Sequence, residues 1–184
     1  TPVVIKEKPG DARPGEGACF TGKLEAQKMP PVRGYEKLAA KRVWQAPNGE
    51  TLVDFGQNMA GMIEVILCGK RGETITFEHG EVLDAEGNVT YAFEGDETRA
   101  QRDCYICAGT GEEIFCPQFT YHGFRYVRVT GGKNWKKEQF TAFAVGTDNK
   151  LTGNFWCSDE MLEQLQHNIL WSQRSNNITI PTDC

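Results

Sequence analysis

The chain contains no apolar run approaching the roughly 18–20 residues that a membrane-spanning helix requires, and no membrane partner is expected. Its first residues lack the charged, apolar and small-residue order of a secretory leader. Thr1 is not a natural start, however, so this says nothing about the native protein. A basic excess is also missing: 20 Lys and Arg stand against 25 Asp and Glu, for a net charge of −5. Phosphate binding normally rests on a basic face, so nucleic acid is not an expected partner either. Paired metal knuckles are absent. Cys104 and Cys107 form a CxxC with Cys116 nearby, but structural zinc sites usually bring a second such pair or a spaced histidine partner. These cysteines lie in an apolar, strand-like run, where Cys serves as a small buried residue. Seven cysteines, an odd number in a chain too large to need staples, indicate mostly reduced thiols.

At 184 residues the chain has room for one ordinary domain with appendages. Its densest aromatic and β-branched stretch is FTYHGFRYVRVTG, Phe119–Gly131. A period of two marks a strand here, with Phe124 and Tyr126 on one face and Val127 and Val129 on the other. Gly123 falls where the parity of the aromatics changes, which predicts a bulge that re-aims the side chains after it.

Residues 1–29 carry Pro and Gly among charges without periodicity and read as a linker or the end of a preceding unit. From residue 30 to 151 the pattern is β. Lys41–Ala46 and Thr51–Phe55 predict a hairpin across Pro47-Asn48-Gly49. Met62–Leu67 and Glu73–Val82 predict two further strands. Asp84–Asn88 has acidic spacing but lacks the later Glu of a calcium loop, and reads as a hairpin turn. Tyr91–Arg102 reads as a long polar loop. Arg102–Ala108, Glu113–Cys116, the Phe119–Gly131 stretch and Gln139–Val145 bring the total to eight or nine strands at short spacing. This is the pattern of an antiparallel β-sandwich or jelly roll. In residues 152–184 the texture changes: Ser158 is a good N-cap, and Leu162, Leu165 and Ile169 recur at helical spacing, predicting a helix to about Ser175.

Taken together, VDFGQNMAGMIEV (Val53–Val65), GETITFEHGEVLDAEGN (Gly72–Asn88), HGFRYV within Phe119–Gly131, TGNFWCSDEMLEQL (Thr152–Leu165) and IPTDC (Ile180–Cys184) resemble bacterial α-L-rhamnosidases. The resemblance runs from about residue 30 to the end. It implies a concanavalin-like β-sandwich followed by the first helix of an (α/α)6 barrel that hydrolyses terminal α-L-rhamnosides with inversion. Such hydrolysis needs one carboxylic acid and one carboxylate on opposite sides of the scissile bond. The resemblance implies that both lie downstream of Cys184, and that Asp183 matches an acidic residue contacting the sugar. On this reading the chain itself holds no catalytic residue, no metal and no cofactor. Its partners are the barrel and, through it, rhamnose-containing glycans or glycosides, in a bacterial cytoplasm or periplasm.

Several residues carry open alternatives. Asp54, Gln57 and Asn58 in DFGQN read either as turn chemistry or as groups facing sugar or barrel. His79, Glu81 and Asp84 could form an acid/base or metal cluster, but His79 and Glu81 sharing a strand face equally permits two solvated side chains. Tyr121, His122, Arg125 and Tyr126 suit an interdomain or sugar-facing surface, because aromatic and Arg side chains favour buried contacts; their alternative is core packing, with His122 as a hydrogen-bonded strut. Trp44 and Trp135 suit either core packing or the platforms of an autonomous carbohydrate-binding module. A helix deprived of barrel neighbours would expose its Leu and Ile stripe and favour dimerisation.

Overall fold

The computed structural model describes residues 3–5, 23–90 and 101–182. Among the described residues, fourteen short to long strands flank one α-helix, with a single 3-10 turn at Lys137–Gln139: β1 (Val3–Ile5), β2 (Leu24–Ala26), β3 (Val32–Ala39), β4 (Arg42–Gln45), β5 (Thr51–Cys68), β6 (Thr74–Gly80), β7 (Val82–Leu83), β8 (Val89–Thr90), β9 (Gln101–Ile106), β10 (Glu112–Phe115), β11 (His122–Thr130), β12 (Phe140–Thr147), α1 (Glu160–Asn176), β13 (Asn177–Ile178) and β14 (Ile180–Pro181). Eight of them form one antiparallel sheet in the order β3-β12-β5-β11-β6-β9, with β4 and β10 also on β5. The expected antiparallel, strand-rich fold therefore holds. Within residues 1–29, β1 and β2 pair with each other.

The long strand β5 organises this sheet. One edge pairs first with β11, at Thr51–Asp54 and Met59–Gly61, and then with β10 at Val65–Cys68. The other edge pairs with β4 at Thr51–Asp54 and with β12 at Gly61–Val65. Exchanging neighbours halfway along lets the sheet curl around a single core. The sequence pattern predicts two strands here, interrupted at DFGQN; the chain instead stays in the sheet. Tyr126 pairs with Asp54 and Phe124 with Met59, so Phe55, Gly56, Gln57 and Asn58 all stand opposite Arg125 alone. Gly56 takes a positive φ of 78°, and its amide donates to Asp54 Oδ1 at 2.6 Å. The excess is thus folded into a wide bulge.

That bulge corrects the expected faces of β11. Strict alternation would place Phe124 with Tyr126, but Arg125 absorbs the register break. Phe124 therefore joins Val127 and Val129 in the main core, beside Phe55, Phe77 and Phe140, all essentially inaccessible. Phe55 and Phe124 meet edge to face at 5.7 Å, and each such buried ring contributes roughly 1.5–3 kcal/mol of transfer free energy. Tyr126 packs on a smaller cluster of Ala46, Leu52 and Val89. The strand also begins later than its aromatic run suggests: Phe119 has a φ of 60° and is fully exposed.

Two turns form as their residues dictate. Gly49 (φ 86°) closes the β4–β5 hairpin, and Gly87 (φ 90°) closes the β7–β8 hairpin, where Asp84 Oδ1 accepts the Asn88 amide at 2.7 Å. A third device is not visible as a motif. The Glu113 carboxylate accepts the amides of Ala108, Gly109 and Thr110 and the Tyr105 hydroxyl, at 2.7–3.1 Å. The Ala108 amide and the Tyr105 hydroxyl lead in holding its carboxyl down at about 2, well below the ordinary value. The helix differs from expectation at its start: Asp159, not Ser158, caps it, accepting from the amides of Met161 and Leu162.

Gly61 lies where β5 passes from one set of neighbours to the other. A Cβ there would sit 2.4 Å from the Phe143 carbonyl oxygen and 3.4 Å from the Ala144 Cα, both backbone atoms of β12. Gly61→Ala should therefore destabilise the chain by about 2 kcal/mol, measured as a lowered denaturation midpoint at unchanged slope; a midpoint equal to wild type would contradict this close approach.

Candidate functional site

The bulge brings three groups of residues together. Arg125 Nε and Nη2 donate to the two Asp54 oxygens at 2.9 and 3.0 Å, a two-point contact across the break in register. Burial pushes the Asp54 carboxyl up, but the Arg125 hydrogen bond, the Gly56 amide and nearby positive charge outweigh it and hold it below the ordinary value. Beyond this pair, Gln57 Oε1 lies 3.3 Å from His167 Nε2 on α1, and the Ala60 amide donates to Ser175 Oγ at 3.0 Å. Trp171 supplies the apolar contact, buried against the sheet with its ring 6.1 Å from that of Tyr35. The docked side of α1 is therefore held by the bulge. Its other side is open: Met161, Leu162, Leu165 and Ile169 are all exposed, as are Phe155 and Trp156 just before the helix.

A second constellation lies inside the sheet. His122 is two residues before Phe124 and shares its inward face, while His79 and Asp103 point inward from β6 and β9. The two imidazoles stack with centroids 4.2 Å apart, and the His79 ring meets Phe124 edge on at 4.8 Å. His122 Nε2 lies 3.1 Å from both Asp103 oxygens. His79 Nδ1 lies 3.1 Å from the Gln101 carbonyl oxygen, which can only accept, so that nitrogen carries the proton and Nε2 the lone pair. Burial, and then the facing His122, push His79 down to about 4, so its imidazole is neutral at pH 7.

The sequence-predicted residues distribute themselves as follows. Arg125 engages Asp54 within the sheet and lies over the Tyr126 ring. His122 faces the interior, and Tyr121 is exposed. Trp44 is half-buried beneath the Arg42 guanidinium, and Trp135 packs on Phe140 while donating to the Gly131 carbonyl. Glu81 accepts from the Asn58 amide and Asp84 from Asn88, so neither joins His79. Asp103 and His122 do so instead; no local motif links them, because they reach His79 from other strands. Cys104 is exposed and Cys107 buried, both as free thiols. Asp183 and most of the Tyr91–Arg102 loop lie outside the described residues.

A family model for the bacterial α-L-rhamnosidase concanavalin-like domain matches residues 44–146, more than half of the chain. The chain belongs to this family. A second model, for the six-hairpin glycosidase domain of bacterial α-L-rhamnosidases, matches residues 150–184, the part that contains α1. An α-L-rhamnosidase of Streptomyces avermitilis is 38% identical over 162 residues, covering 87% of this chain and 15% of that protein. One from Formosa agariphila is 33% identical over 165 residues, covering 88% and 17%. The solved structure of α-L-rhamnosidase from Dictyoglumus thermophilum superposes with a TM-score of 0.81 at 36% identity, covering 89% of this chain and 18% of that one. The chain thus spans less than a fifth of the length of these rhamnosidases; the bulge lies within the sandwich match, and the helix docked on it lies within the glycosidase match.

The Asp54–Arg125 pair predicts a pH signature. A carboxyl whose folded pKa is depressed stabilises the fold above its unfolded pKa, and that contribution is lost as pH falls through the folded value. Asp54→Asn should cost about 1–2 kcal/mol near pH 7, after allowance for solvent screening of the part-exposed guanidinium. The gap from wild type should close as the pH falls through and below the ordinary aspartate range. Denaturation at a series of pH values tests this, and parallel curves would refute it.

Proposed function

We propose that this chain is the accessory β-sandwich of an α-L-rhamnosidase together with the opening helix of its (α/α)6 barrel, and that its task is to seat that barrel. The carrying observation is the two-sided helix: Trp171, Ser175 and His167 join α1 to the sheet, while Met161, Leu162, Leu165 and Ile169 face outward. An exposed apolar stripe of this kind is suited to burial against further helices. On this reading residues 30–151 are the sandwich and 152–184 the start of the barrel, a division supported by family matches at residues 44–146 and 150–184. In the whole enzyme the barrel would hydrolyse terminal α-L-rhamnosides with inversion, supplying both carboxylates that the reaction requires. The chain on its own would be inert, with Asp183 contributing to sugar binding only within the complete barrel.

Half-burial and prior engagement of Trp44 and Trp135 weigh against their use as sugar platforms. The test is an assay of the purified chain on nitrophenyl α-L-rhamnoside, alongside a calorimetric titration with L-rhamnose. Neither turnover nor saturable heat is expected. Turnover would overturn the reading, and saturable binding without turnover would make the chain an autonomous carbohydrate-binding module.

Without barrel helices, the outward stripe should find itself. We expect a dimer through α1 in sedimentation across a concentration series, shifted to monomer by combining Leu165→Lys with Ile169→Lys. A wild-type chain that stays monomeric at every concentration would contradict this.

A further inference from the structure

The buried His79–Asp103–His122 cluster has no part in the scaffold role, yet its geometry is that of a ligand set. His79 Nε2 is buried, holds a lone pair and has no hydrogen-bond partner. A buried polar atom left unsatisfied is costly, and here Asp103 Oδ2 stands 3.8 Å away, beyond hydrogen-bond reach. The same carboxylate lies 3.1 Å from His122 Nε2, and the three ligand atoms fall within 4.8 Å of one another. Three donor atoms this close converge on one ion once the stacked imidazoles, with centroids 4.2 Å apart, tilt toward each other.

The surroundings fit as well. Metal-ligating histidines characteristically donate their second ring nitrogen to a carbonyl or carboxylate, which fixes the tautomer; His79 Nδ1 already does this to the Gln101 carbonyl. Gln101 is itself clamped, since its amide both donates to the Gly123 carbonyl and accepts the Gly123 amide. This ties β9 to the start of β11 beside His122. The Asp103 side chain keeps 9% of its exposure, leaving an approach from the sheet rim.

We infer that His79, Asp103 and His122 form a binding site for a divalent d-block cation of the zinc type, which cross-links β6, β9 and β11. Two neutral imidazoles and one carboxylate suit such an ion better than calcium or magnesium, which favour all-oxygen shells. Binding requires the His122 proton to move from Nε2, where it faces Asp103, to Nδ1, so that the ring stays neutral and Nε2 offers its lone pair to the ion. Three protein ligands leave a fourth position for water. The role is to fasten strands together, and it is independent of the rhamnosidase assignment.

The experiment uses the 184-residue chain with accessible thiols alkylated, so that cysteine does not capture the metal. Zn2+ is added by equilibrium dialysis and counted by elemental analysis. In parallel, long-range 1H–15N spectra follow the imidazole nitrogens. The sequence has three histidines, and His167 on α1 serves as an internal control. One equivalent of zinc is expected, shifting the Nε2 resonances of two histidines and leaving the third unchanged, with a raised thermal midpoint. Asp103→Asn and His122→Gln, checked for folding by near-ultraviolet circular dichroism, should each lower affinity at least tenfold. Absence of stoichiometric zinc, a shift confined to His167, or undiminished binding by the folded variants would overturn the site; the spectra of wild type decide the matter even if both variants unfold.

Discussion

Arg125 is the single residue of β11 that faces four residues of β5, and its two hydrogen bonds to Asp54 close that gap in the ladder. Much of the molecule depends on this junction. Bridging a wide bulge with a charge-assisted, two-point contact fixes how many residues are absorbed, and so fixes which side chains on each flank face inward. Phe124 and Val127, three residues apart, then share the core face, which strict alternation would forbid. His122, two residues earlier still, follows it inward.

The same bulge connects sheet to helix. The excess residues of β5 have no ladder partner on β11, so Gln57 is free to meet His167, and the strand resumes with Ala60 offering its amide to Ser175. A local irregularity in the sheet thereby becomes a socket for α1. The socket leaves the remaining apolar face of the helix turned outward. Bulges commonly serve to redirect side chains in this way, and their cost in ladder hydrogen bonds is offset here by the ion pair and the helix contacts.

The two faces of the sheet treat their buried charged groups differently. On the outer face, Glu78 accepts from Arg102 and Arg128, which stand opposite it in register on both sides. Burial alone would raise its carboxyl, yet the two guanidiniums prevail and lower it. On the inner face, Asp103 faces two imidazoles, one of which keeps a lone pair without a partner. Glu78 thus sits in a closed network and His79 in one with an open position; among the described residues Tyr35 Oη and Asn88 Oδ1 are likewise buried without a hydrogen-bond partner.

Much of the strand pattern, the Gly49 and Gly87 turns and the helix were legible in the sequence, because period-two alternation, positive-φ glycines and a 3.6-residue stripe are local properties of the chain. The motifs DFGQN and HGFRYV could likewise be recognised as belonging to one family. Tertiary structure alone decided that DFGQN continues β5 instead of ending it, because a strand interruption and a bulge have the same residues and differ only in whether a partner spans the gap. It decided that Arg125 answers to Asp54, 71 positions away. It also replaced Glu81 and Asp84 with Asp103 and His122 as the neighbours of His79: sequence separation along a strand sets which residues share a face, but only the pairing of three different strands sets which of those faces meet.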